Sequence, residues 1–188
     1  MRAKRTVGAE RTRRRDEFSR LLVVERRSSL LEIGTGPGRD AVAFMAVGVA
    51  VTGVDLSAEP VRLARGVGVD ALQASVLDLP FSAGSFAAAW SMSTLLHVPN
   101  VDFDAAMSEI VRVVRPGAPI AVGLWGGPDS EGPNEHDTIQ PPRFFSTRSD
   151  ERIRAMLGEH GQVERFDTWS EAGTEGLHYQ FVVLRTRG

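Results

Sequence analysis

Short apolar runs alternate with amphipathic stretches through the first two-thirds of the chain. Leu30 to Ile33, Ala50 to Val54, Ala71 to Gln73, Phe86 to Trp90 and Pro119 to Leu124 read as buried strands. Between the first two, Ala41-Val42-Ala43-Phe44-Met45 begins a helix that runs to about Val47, with Gly48 at its C-cap. Ser57 can cap the next helix, with Pro60 in its first turn and Gly66 and Gly68 closing it. Phe103, Ala106, Met107, Ile110, Val113 and Val114 keep the helical period behind a cap at Asn100 or Asp102, until Pro116-Gly117 stops them. Upstream, Phe18, Leu21 and Leu22 predict one amphipathic helix from about Glu10 to Glu25 with its arginines outside, after a disordered residue 1–9 tail. Downstream, the Gly- and Pro-rich stretch 126–147 predicts a long loop. Thr147-x-x-Asp150 reads as a capping box for a last helix that Gly161 ends. Val163 to Ser170 and Tyr179 to Arg185 then pair as an antiparallel hairpin across a turn at 171–177.

Strand and helix in alternation predict an α/β fold: a mostly parallel sheet with helices on both faces and a C-terminal antiparallel hairpin. At 188 residues the chain predicts one domain. Within it, residues 1–28 form a basic tail and helix, 29–124 the core, 126–147 the loop and 148–188 the last helix and hairpin. The loop's place after strand 5, with Trp125, Phe144 and Phe145 at its ends, suggests a mobile lid with aromatic anchors.

Charge and cysteine content narrow the chemistry. The net charge is −2, yet residues 1–30 carry ten basic and four acidic residues. Phe18 is the one aromatic residue among them, which argues against stacking on nucleic-acid bases. No apolar run is long enough for a membrane span, and no secretory signal is visible. The chain has no cysteine, which removes thiolate catalysis and Cys-ligated metal and agrees with a cytoplasmic location. Its four histidines lack metal-ligand spacing, so no metal site is expected.

The stretch Glu32-Ile33-Gly34-Thr35-Gly36-Pro37-Gly38 organises the rest. A strand runs into a turn with glycine at alternate positions and out into a helix, so a ligand can approach the backbone closely. The spacing is G-x-G-x-G, whereas the dinucleotide fingerprint is G-x-G-x-x-G. Asp55 ends the second strand 17 positions after Gly38, where a carboxylate can accept hydrogen bonds from ribose hydroxyls. Glu32, beside the glycines, suits a ligand with a positive amino group and repels a pyrophosphate. These residues resemble the class I S-adenosylmethionine-dependent methyltransferases, in particular the small single-domain members that act on small molecules. Asp78-Leu79-Pro80-Phe81 with Ser85-Phe86, and Arg112-Val113-Val114-Arg115-Pro116-Gly117, are similar to two further blocks of that family.

The resemblance implies a Rossmann-like seven-stranded sheet and S-adenosylmethionine as cofactor. It implies binding by Glu32, Gly34, Thr35, Gly36, Gly38, Asp55, Leu56, Ser75, Val76, Leu77 and Ser91. Ser75 stands where the family usually has an acid for the adenine amino group, and Ala87 replaces another usual acid. The segment Ser91-Met92-Ser93-Thr94 differs from the Asn-Pro-Pro-aromatic stretch of enzymes that methylate nucleic-acid bases. The implied reaction is an in-line methyl transfer to an O, N or C atom of a small-molecule acceptor. His97, after the fourth strand, is the candidate general base; packing beside the cofactor or capping a helix is its alternative. His136 in the loop is a weaker candidate for contact with the acceptor. Two other readings stand beside this one. A non-catalytic protein could bind the same cofactor, and an NAD-type oxidoreductase is opposed by the glycine spacing.

Overall fold

A computed structural model describes residues 8–134, 142–170 and 176–188. Residues 1–7 of the tail expected over 1–9, the candidate His136 and most of the turn at 171–177 lie outside the described residues. A seven-stranded sheet forms the centre, in the order β3-β2-β1-β4-β5-β9-β8. Its strands are β1 (Ser29–Ile33), β2 (Ala50–Asp55), β3 (Asp70–Gln73), β4 (Ala88–Met92), β5 (Pro119–Gly126), β8 (Gly161–Trp169) and β9 (His178–Thr186). The first five pair in parallel. β9 runs antiparallel to both β5 and β8, so the C-terminal hairpin closes the sheet edge with its last strand inside.

Each sheet face is covered. On one, Phe18 and Leu22 of α1 (Ala9–Val24), Phe44 of α2 (Arg39–Met45) and Val61 and Ala64 of α3 (Ala58–Gly66) pack on Leu30, Trp90 and Phe181. On the other, α4 (Asn100–Val113) and α5 (Asp150–Gly158) pack on Leu31, Ile33, Ile120 and Val122. β4 and β5 are covered on both sides, which explains their near-continuous apolar reading. Strands wind one way from β1 through β3 and the other way from β4, so the switch point lies between β1 and β4 at their C-terminal ends. That is where open α/β sheets bind ligands. No described helix is long and apolar enough to cross a membrane.

Several local expectations are corrected. The fourth strand is Ala88–Met92, two residues later than the apolar run suggested. Phe86 instead makes an isolated bridge to Val114 and meets the Phe81 ring edge-on at 4.9 Å. α4 starts after Pro99, without a side-chain cap, because the Asn100 N–H donates to Glu131 from a distant segment. The last helix is capped by Ser149, whose Oγ accepts from the Arg152 N–H, while Thr147 donates to the Pro128 carbonyl. Gly161 opens β8 rather than ending the helix.

The described residues of the stretch 126–147 are no plain loop. β6 (Ser130–Pro133) pairs antiparallel with β7 (Phe144–Thr147) in a small separate sheet. Buried Arg148 latches this hairpin to the body. It donates to the Val98 carbonyl at 2.8 Å and to Asn100 Oδ1 at 2.8 Å, and its guanidinium lies 4.4 Å from the Phe103 ring centre. Burial lowers its pKa to about 10, so it remains a cation at neutral pH.

Candidate functional site

The glycine turn is built by backbone demands. Gly34, Gly36 and Gly38 all have positive φ, at 74°, 55° and 81°. The Gly34 and Thr35 N–H groups both donate to the Val54 carbonyl, which fastens the turn to the end of β2. A Cβ on Gly34 would lie 1.8 Å from Thr94 Oγ1, so the segment after β4 rests on the turn with no room between them. A Cβ on Gly36 would meet nothing within 4 Å. The backbone at Gly36 therefore borders open space, as a ligand cradle requires.

Asp55 reaches the same place. Its carboxylate accepts from the Gly36 N–H at 3.1 Å and from the Ser57 N–H at 3.0 Å. Leu56 and Leu77 beside it are 71% and 43% exposed, leaving apolar surface at the edge of the cleft. Ser75 Oγ accepts from the Leu77 N–H at 3.2 Å, which ties together the Ser75-Val76-Leu77 turn. Ser91 is buried, and its Oγ has no hydrogen-bond partner among the described residues.

Glu32 is the electrostatic centre. It is buried, and the Thr35 hydroxyl donates to it at 2.6 Å. Burial pushes its pKa up to about 8, and the neighbouring Asp40 carboxylate adds to the rise. Asp40 is itself buried. The Trp90 Nε1–H and Arg11 Nη2 both donate to its Oδ2, at 3.2 and 3.0 Å. The structure therefore brings Glu32, Thr35, the three glycines and Asp55 to one edge of the sheet.

The family resemblance allows an N-terminal helix over the cofactor site, but sequence reasoning missed the part that the α1 arginines play. Its arginines were expected outside, yet Arg14 is buried and Arg11 is half-buried, reaching across to Asp40. Long arginine stems cover apolar surface while their heads find carboxylates. Burial opposes the Arg11 charge, but Asp40, Tyr179 and Glu32 outweigh it and hold its pKa above the ordinary arginine value. Its Nε is buried with no hydrogen-bond partner among the described residues. Asp40, two residues after the last glycine, was the available signal that a basic partner would fold over the turn.

His97 lies at the end of a 3-10 turn (Leu95–His97) on the α4 side. Its Nδ1 is 2.8 Å from the Phe144 carbonyl, and its ring meets Phe145 edge-on at 4.6 Å. A carbonyl only accepts, so Nδ1 carries the proton in the neutral ring. Among the described residues no group of His, Asp and Glu could hold a metal ion.

The arrangement fits a zwitterionic nucleoside ligand. A buried acid can face an ammonium, a buried guanidinium Nε lacks a partner, and open backbone and a strand-end carboxylate stand ready for ribose. Comparisons with known proteins agree. Residues 31–122 match the family described as "Methyltransferase domain". The O-methyltransferase resE of Aspergillus sclerotiorum is 31% identical over 147 residues, covering 70% of this chain and 53% of that protein. The chain thus spans about half the length of the curated relatives it matches. Two solved structures share the fold. One is the Burkholderia thailandensis 1,6-didemethyltoxoflavin-N1-methyltransferase with bound S-adenosylhomocysteine, with a TM-score of 0.74 and 20% identity over 100% of this chain and 94% of that chain. The other is the [4+2]-cyclase SpnF, with a TM-score of 0.71 and 21% identity over 92% of this chain and 81% of that chain. The chain carries a methyltransferase domain of the class I, S-adenosylmethionine-dependent kind.

Proposed function

We propose that this protein is an S-adenosylmethionine-dependent O-methyltransferase that acts on a hydroxyl of a small molecule. The observation that carries the reading is the buried Glu32 carboxyl next to the open backbone at Gly36. The choice of oxygen is supported by relatives described as O-methyltransferases.

When bound, the cofactor would supply an electrophilic methyl group whose bond to sulfur breaks with its electron pair left on sulfur. The protein's part is to bind and orient. Glu32 in its ionised form takes the amino group, and Thr35 steadies that carboxylate. Arg11 balances the charge and is suited to the ligand's carboxylate. Asp55 accepts from ribose hydroxyls, and Leu56, Ser75, Val76 and Leu77 line the adenine end. Ser91 supports the turn from β4. His97, whose Nδ1 meets the Phe144 carbonyl, is the base we assign for the acceptor proton. The β6–β7 hairpin serves as a wall of the acceptor site, held by Arg148 and by the Glu131 contact with Asn100.

Calorimetric titration with S-adenosylmethionine and with NAD tests the cofactor, and S-adenosylhomocysteine release with a metabolite pool tests catalysis. Binding of NAD instead would overturn the reading. Binding of S-adenosylmethionine without any turnover would favour a non-catalytic cofactor-binding protein. A solved structure of the same fold is described as a [4+2]-cyclase, so fold alone does not fix the activity.

A further inference from the structure

The block Arg112-Val113-Val114-Arg115-Pro116-Gly117 closes α4 and leads into β5, at the sheet edge opposite the glycine turn. A cleft of about 370 Å³ opens beside it, within the range of about 300–1,000 Å³ typical of small-molecule sites. Ala83, Val111, Val114 and Pro116 help to give it a mostly apolar lining. Arg112, Arg115 and Arg187 line it as well. Nothing in the cofactor reading uses this surface.

The walls are fixed by hydrogen bonds within the protein. The Gly84 N–H donates to the Arg112 carbonyl at 3.0 Å, and the Arg115 N–H donates to the Phe86 carbonyl at 2.8 Å. The segment 84–86 is thereby laced to the end of α4. On the other side, Thr186 Oγ1 donates to the Arg115 carbonyl at 3.1 Å and accepts from the Ala118 N–H at 2.9 Å. A Cβ on Gly84 would meet nothing within 4 Å, so the backbone there borders open space.

Charge at this edge is uneven. Arg112 is engaged: it pairs with Glu109 at 2.7 Å and donates to the Phe81 and Leu79 carbonyls. Arg185 takes both Glu25 and Glu164. Arg115 and Arg187 are exposed and make no ion pair among the described residues. Glu25, Glu109 and Glu164 thus hold other arginines, and two guanidiniums remain beside an apolar cleft. Arginine stems cover apolar surface while their heads can fork onto a carboxylate. A doubly charged phosphate costs more to bring against an apolar lining than a single carboxylate does.

We propose that this cleft is a second binding site, for a small amphipathic monoanion whose apolar body lies on Val111, Val114 and Pro116 and whose carboxylate meets Arg115 and Arg187. The proposal is independent of the methyltransferase reading, since the two sites lie at opposite sheet edges.

Amide shifts of 15N-glycine-labelled protein, followed while 1-naphthoate is added, test it. Gly84 and Gly117 should move in a saturable titration, whether or not S-adenosylhomocysteine is present. The neutral 1-naphthamide keeps the ring and loses the charge, and it should bind about fivefold more weakly, as for an ion pair at a partly open site. Acetate and inorganic phosphate carry an anionic head without a body, and an approximately tenfold excess of either should leave naphthoate bound. Arg115→Gln and Arg187→Gln, both outside the packed core, should each weaken naphthoate about threefold. Together they should bring it level with naphthamide, while Arg62→Gln on α3 should change nothing. No saturable shift at Gly84 and Gly117, equal affinity for the two ring probes, displacement by acetate or phosphate, or unchanged affinity in the double variant would overturn the proposal.

Discussion

Replacing Glu32 with glutamine should make the free protein more stable and less able to bind its cofactor. Glu32 is 4% exposed, with the Thr35 hydroxyl at 2.6 Å as a donor. Burial, reinforced by Asp40, raises its pKa from 4.5 to about 8. Between those values the folded state holds a proton that the unfolded chain has released. Stability therefore falls as pH rises through that window, by about 1.4 kcal/mol per unit for a single group. The full interval is worth roughly 5 kcal/mol, of which roughly 3 is gone by neutral pH. A glutamine keeps an acceptor for Thr35 and has no proton to lose. Glu32→Gln should match wild type near pH 5 and exceed it by roughly 3 kcal/mol at neutral pH. Urea unfolding followed by tryptophan fluorescence at pH 5, 6, 7 and 8 reads the difference. In a calorimeter the same variant should lose affinity for S-adenosylmethionine, since no carboxylate can form beside the ammonium. Parallel stability curves for the two proteins would refute the reasoning, because Glu32 would then titrate as an exposed acid does. A residue that lowers stability in the free state is intelligible where a ligand supplies the missing charge.

Other outcomes follow from the same geometry. Gly34→Ala places its Cβ on Thr94 and should cost about 2–4 kcal/mol in thermal or urea unfolding, whereas Gly36→Ala meets open space and should cost about 1 kcal/mol while still blocking the ligand. Arg148→Met leaves the Val98 carbonyl and Asn100 without their donor. It should cost about 2–3 kcal/mol, and hydrogen exchange should rise first in Ser130–Pro133 and Phe144–Thr147. Ser149→Ala removes the cap of α5 and should cost about 1 kcal/mol, while Thr147→Ala should stay within about 0.5 kcal/mol; chemical denaturation compares them.

The order of strands and helices was legible because the central strands are buried on both faces and their helices each present one apolar stripe. β1, β2 and β5 announce themselves as apolar runs, and Phe103 to Val113 repeats at the helical period. β4 was misplaced by two residues because Ser91 interrupts its apolar run, although a small buried serine does not break a strand. The β6–β7 hairpin was illegible for a different reason. Its strands are four residues long, contain Gly132 and Pro133, and depend on long-range contacts from Arg148 and Asn100. The glycines and the two acids could be read locally, since a turn and its neighbouring strand ends sit close in sequence. Arg11 could not. It comes from α1, and only the folded chain brings it to Asp40.

The central claim is that the glycine turn and Asp55 form the cofactor site. Amide shifts of glycine, measured while S-adenosylhomocysteine is added to 15N-glycine-labelled protein, test it most directly. The account predicts that Gly34, Gly36 and Gly38 move in a saturable 1:1 titration. Gly48 and Gly117, which precede β2 and β5 at the opposite sheet edge, should stay in place. Asp55→Ala should weaken the titration by about 1.5–3 kcal/mol, the loss of hydrogen bonds to a charged group. Shifts confined to other glycines, or no shift at saturating ligand in folded protein, would contradict it.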